Sequence, residues 1–163
     1  MMDLTTLDLT AQADTGRTLD LVHPLTKDPL RDDNGAAITI TLRGPWSRAW
    51  QQMLHERVDQ DRHALLHPDA PRPSSAEEYN RTLDRLTALT VTWSGIAWHG
   101  ATLDPTPENI RRVYDQFWWI RQQVDAFVAD EEAFFGARSA NSSTGTASGA
   151  GTSTPTAPSP ADG

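Results

Sequence analysis

The sequence has no cysteine among its 163 residues and a single lysine, Lys27, among its 14 basic residues. Without thiols there is no disulfide framework, no thiolate zinc site and no cysteine nucleophile. The scarcity of lysine reads as codon bias and carries no functional weight. No apolar run is long enough to cross a bilayer. The start Met1-Met2-Asp3-Leu4 lacks a basic stretch followed by an apolar one, so no signal peptide is readable and the cytoplasm is the expected compartment. Positive charge is also short: 14 Lys+Arg stand against 22 Asp+Glu, a net charge of −8, and the basic residues are spread singly. Neutralising phosphates needs clustered Lys and Arg, so nucleic acid is not expected as a ligand, and a protein partner is favoured.

Apolar residues are missing from one whole segment. Residues 137–163 hold no Leu, Ile, Val, Met or aromatic residue, and only Arg138 and Asp162 are charged. Such a segment cannot bury enough surface to offset its backbone entropy and is expected to be a disordered tail. Residues 1–136 then form one domain, long enough for a single core, and no internal repeat divides it.

The front of that domain alternates apolar and polar residues at Leu19 and Leu21 and again at Ile38, Ile40 and Leu42. With the turn signal Asp32-Asp33-Asn34-Gly35 between them, these predict a β-hairpin with a long connection. Residues 3–14 alternate less cleanly and predict an edge strand or a loose segment. After Gly44-Pro45 the period becomes helical: Trp46, Trp50, Met53, Leu54, Val58 and Leu65 share one side of a helix ending near Leu66, before His67-Pro68. Three prolines in residues 68–73 require a loop. Ser74-Ser75 ahead of Glu77-Glu78 predict a capped second helix through Tyr79, Leu83 and Leu86 to Leu89 or Val91. Residues 91–103 suit a short hairpin or compact loop with Gly100 at positive φ. Thr106-Pro107 start a short helix to about Tyr114, and Phe117, Ile120, Val124, Phe127, Val128, Phe134 and Phe135 mark a last helix with Gly136 as its stop. The expected fold class is α+β: a small N-terminal β-hairpin, three to four helices and the disordered tail.

Catalytic motifs are absent too. There is no G-x-S-x-G elbow and no glycine-rich phosphate loop. His55-Glu56-Arg57-Val58-Asp59 misses the zinc-protease pattern because Asp59 stands where the second histidine belongs. His55, Asp59 and His63 form a row at i, i+4 and i+8, but on a straight helix that row spans about 12 Å, too far for one ion. His63 and His67 have helical spacing that Pro68 interrupts. Asp130-Glu131-Glu132 reads as a solvated helix end, with Glu131 reaching out from the apolar side to water. No enzyme activity, cofactor or metal is expected.

What is abundant is tryptophan, six residues in 163. Trp118 and Trp119 fall roughly 130° to either side of the last helix's apolar stripe, so both cannot enter the same core. One is expected to pack under the 93–103 loop and the other to lie exposed, where large aromatics commonly mark docking sites. Trp118, Trp119, Trp98 and Trp46 are the candidate partner-binding residues, and alanine substitution separates surface from core roles.

The order of these pieces resembles that of the tail assembly chaperones of tailed bacteriophages. The matching residues are Leu19-Asp20-Leu21-Val22-His23-Pro24-Leu25-Thr26, the Asn34-Gly35 turn, and the strand 38–42 that ends at Gly44. Trp93-Ser94-Gly95-Ile96, His99-Gly100, Thr106-Pro107-Glu108-Asn109 and the aromatic last helix complete the match, which covers residues 17–136. The chain departs from the group at Pro45-Trp46, where a small polar Asp-Ser pair is usual. The resemblance implies a non-catalytic protein of the host cytoplasm that binds the tape-measure protein and helps tail-tube protein subunits polymerise around it. It implies no catalytic residues, and a homo-oligomer is compatible with it. In such phages a frameshift often appends a second domain, to which residues 137–163 would suit a linker. A tail-terminator or head–tail connector subunit of the virion is the alternative.

Overall fold

The computed structural model describes Met1 and residues 3–140. Its centre is a three-stranded antiparallel sheet in the order β1 (Arg17–Asp20), β2 (Thr39–Leu42), β3 (Thr90–Ser94). Leu19 pairs with Ile40, and Ile40 with Trp93, so the inward residues of all three strands line up on one face. The expected hairpin is β1–β2, and the fold class is α+β as expected. β3 is a third strand of this sheet, where the sequence pattern placed the end of a helix and the start of a short hairpin or compact loop.

The long β1–β2 connection is built from backbone hydrogen bonds. The Leu21 amide donates to Ile38, Leu30 to Leu21, and Ile38 to Leu30. Within it, His23 Nδ1 accepts from the amides of Leu25 and Thr26, at 3.3 and 3.2 Å. The His-Pro-Leu-Thr motif therefore makes a turn in which the imidazole stands in for a backbone acceptor. The Gln123 side chain then closes the far end of the sheet, accepting from the Val22 amide and donating to its carbonyl at 3.0 and 2.9 Å.

Three helices cover the inward face: α3 (Ser75–Leu89), α4 (Pro107–Gln116) and α5 (Trp118–Ala129). Leu83, Leu86 and Leu89 from α3, Ile110, Val113 and Tyr114 from α4, and Ile120, Val124 and Val128 from α5 bury against Leu21, Ile40 and Leu42. One polar chain runs through this core. The Thr90 hydroxyl donates to Leu86 O at 2.8 Å and accepts from the Tyr114 phenol at 2.7 Å. Burial pushes the Tyr114 phenol up, so it stays a donor across the ordinary pH range. Between β3 and α4, β4 (Ala97–Trp98) and β5 (Ala101–Thr102) form the small hairpin expected around Gly100. Both turn residues have positive φ, 51° at His99 and 81° at Gly100, the requirement of a tight type I′ turn.

The start of α3 follows its sequence signal. Ser74 Oγ accepts from the Glu77 amide while the Glu77 carboxylate accepts from the Ser74 amide at 2.6 Å, a complete capping box. The hydrogen bond from the Ser74 amide, with a smaller share from its hydroxyl, holds the Glu77 carboxyl below the usual carboxylate range. A lowered folded pKa stabilises the fold at pH above the ordinary glutamate value, and that contribution is lost as the pH falls through the folded one. Ser74→Ala should cost about 0.5–2 kcal/mol at neutral pH. Urea titrations across pH should show Glu77→Gln converging on the parent as the solution becomes acidic.

Four expectations are corrected. Residues 3–14 form neither a strand nor a loose end but a 3-10 turn, Leu4–Leu7, and helix α1, Leu9–Thr15. Asp3 and Asp8 side chains accept from the Thr5 and Ala11 amides, so these short polar residues cap helical turns and override the weak alternation. Ala13 is fully buried, and the Asp14 carboxylate accepts from the Arg48 amide at 2.8 Å. The last helix is not continuous: Asp130 leaves helical geometry at φ −94°, ψ 94°, and α6 (Glu131–Ala140) begins anew. Seven residues of straight helix would separate Phe127 and Phe134 by about 10.5 Å. The break brings their ring centroids to 5.5 Å. Gly136 is accordingly inside α6 and does not stop it. Of the tail expected from 137, residues 137–140 belong to α6, and residues 141–163 lie outside the described residues.

Candidate functional site

Helix α2 (Arg48–Leu66) is the longest among the described residues at 19 residues, and none of them is buried. Ser47 caps it, its hydroxyl accepting from the Trp50 amide, and the Trp46 carbonyl accepts from Gln51 Nε2 at 2.8 Å. Only Ala49, Trp50 and Met53, in its first two turns, pack against the core. Beyond Met53 the helix stands away from the domain. The apolar side read from the sequence therefore faces water: Leu54 is 52%, Val58 50% and Leu65 83% exposed. A protein that leaves such a row uncovered exposes a feature ordinarily found where another chain docks.

Between α2 and α3 lies an open groove of about 1160 Å³, closed at its tip by Pro68, Pro71 and Pro73. Its charges balance, with Glu56, Asp61, Glu78 and Asp84 against Arg57, Arg72, Arg81 and Arg85. Ala49, Met53, Ala64, Leu65 and Ala88 supply apolar wall between them. The α3 side is held by ion pairs to the helices beneath it, Arg85 to Asp125 at 2.5 Å and Asp84 to Arg111. The tyrosine on the same helix donates from its hydroxyl to Asp115 at 2.7 Å and lies under the Arg121 guanidinium.

The tryptophans fall into two groups. Trp118 is 60% and Trp46 50% exposed, whereas Trp98 and Trp119 are half-buried against the core. Trp98 packs edge-on to Phe117, with ring centroids 5.0 Å apart, and under the Arg112 guanidinium at 4.8 Å. Trp118 and Trp119 thus part as their helical positions require. The fold does not bring the four candidates together. Trp46 lies two residues beyond Gly44, which meets Phe134 of α6, while Trp118 opens α5 at the opposite end from Phe127.

The chain matches no family model, no curated protein and no solved structure. What it offers is therefore read from its own surface. Trp46 has φ 71°, a left-handed conformation that is costly for a bulky side chain and is commonly retained where function requires it. That backbone sets the indole at the foot of α2 and outside it, since the helix starts at Arg48; Trp46 is therefore not on the helix side that carries Leu54, Val58 and Leu65, as its spacing predicted. Sequence reasoning singled out Trp46 and the helix's apolar side but not the strain or the outward orientation. Positive φ at the Pro45-Trp46 corner leaves no signal in residue type.

His55, Asp59 and His63 are exposed along α2, and no group of three or more His, Asp or Glu positioned for a metal occurs among the described residues. His63 and His67 do approach, with ring centroids 4.4 Å apart at the exposed helix end. No helix among the described residues is long and apolar enough to cross a membrane.

Proposed function

We propose that this chain is a non-catalytic chaperone of phage tail assembly that works in the host cytoplasm. It holds the tape-measure protein by apolar contact and thereby helps tail-tube subunits assemble. The observation that carries this reading is α2: a long helix with no buried residue, an uncovered row of Leu54, Val58 and Leu65, and an open groove at its side. A helix-rich client lays an apolar face against such a row as one amphipathic helix against another. Burial yields about 25 cal/mol per Å² of apolar surface, and lost association entropy offsets much of it. The balance suits a contact that is made, used and released. Trp46 at the foot of α2 offers a further contact, and Trp118 a second, separate one.

The test is copurification with the tape-measure protein of the same genome, alongside the composition of purified particles. The chain is expected to bind that protein in infected cells and to be missing from finished virions. Its presence in particles at stoichiometric amount would make it a structural virion component, such as a terminator or connector. Trp46→Gly relieves the left-handed strain, so stability should stay within about 1–2 kcal/mol of the parent while tape-measure binding weakens about tenfold. Unchanged binding would remove Trp46 from the site.

A further inference from the structure

The outer part of α2 carries a charge pattern that complements itself. Arg57 and Asp61 lie one turn apart on the groove side of the helix, both exposed, and neither has an ion-pair partner among the described residues. The whole chain bears a net charge of −8, yet the charged groups lining this groove sum to zero. A second copy approaching here meets no net repulsion, unlike one approaching the acidic remainder of the surface.

We propose that a second copy of this chain occupies the face, with α2 packed antiparallel to α2 about a two-fold axis at the level of Asp59. A two-fold axis repeats one patch on both partners, so every contact occurs twice. In this register Arg57 of each copy faces Asp61 of the other, and the pair forms reciprocally. Parallel pairing would instead set Arg57 against Arg57. On the two sides of the seam Leu54 lies beside Leu65 of the second copy, and Met53 beside Ala64. The exposed Leu54 and Leu65 are thereby covered, and the central charge pair fixes register, as polar groups within helical seams do. The dimer hides the client-binding row until a client displaces the second copy. The inference goes beyond the chaperone reading, and self-association is measured with no tape-measure protein present, so either can fail alone.

Sedimentation velocity on the full chain tests it. The parent is expected to reach twice its 18.0 kDa monomer mass with rising concentration. Arg57→Asp and Asp61→Arg alone each place like charges across the seam and should raise the dimer dissociation constant by about tenfold or more. Mixed in equal amounts, the two variants should form a heterodimer with the parent's affinity, because opposite charges face each other again. Both substitutions are on exposed helix surface, and circular dichroism reports whether the helices remain. A parent that stays monomeric at every concentration overturns the proposal. So does a dimer that neither substitution weakens, or a mixture that does not recover.

Discussion

Leu86→Ala should lower the unfolding free energy by about 2–5 kcal/mol, whereas Val58→Ala should change it by less than about 0.5 kcal/mol. Both residues are branched aliphatic side chains on the inner turns of neighbouring helices. Their environments differ completely. Leu86 is fully buried on α3 between the sheet and α4, and its carbonyl anchors the Thr90–Tyr114 hydroxyl pair. Truncation there leaves a cavity that close-packed neighbours cannot fill. Val58 is half exposed on a helix with no buried residue, so its removal opens no cavity. Urea denaturation of both variants checks the contrast. A large loss at Val58 would mean that α2 is held down by contacts of its own and is no open face.

Phe134→Ala should cost about 3–5 kcal/mol and release α6 from the domain. The Phe134 ring is fully buried, lies 5.5 Å from the Phe127 ring centroid and 5.2 Å from that of Phe135, and fills the space over Gly44. A Cβ at Gly44 would sit 2.3 Å from two of its ring carbons, so glycine there is a packing requirement. Among the described side chains of α6, Phe134 is the buried one, so removing the ring takes that anchor away. Amide hydrogen exchange in α6 should then rise to near that of an open helix while α3 and α5 stay protected. Because Gly44 opens the corner that carries Trp46, the same substitution should loosen the foot of α2. Unchanged exchange in α6 would show that its docking does not depend on Phe134.

Where local signals were strong, the fold was legible in the sequence. Ser74 with Glu77 marked the start of α3, Thr106 with Pro107 that of α4, and the alternation of Leu19 and Leu21 with Ile38, Ile40 and Leu42 fixed the hairpin face. What escaped depended on distant parts of the chain. β3 pairs with β2 across the whole of α2 and α3, and nothing in Thr90–Ser94 announces a partner 48 residues or more earlier. The break at Asp130 serves the meeting of Phe134 with Gly44, again a non-local event. For α2, periodicity identified which residues share a side, but it is silent on whether anything covers that side. The same limit applied to the tryptophans. The angular separation of Trp118 and Trp119 required that they part, but it does not say which one packs: Trp119 lies against the core and Trp118 is exposed.

The uncovered side of α2 is the proposed contact with the tape-measure protein. A photo-crosslinking amino acid in place of Val58 tests it most directly, with the same group in place of Val91, which is exposed on β3, as the comparison. The expected result in infected cells is a covalent adduct with the tape-measure protein from position 58 and none from position 91. An adduct from position 91 alone, or from neither position, would contradict it.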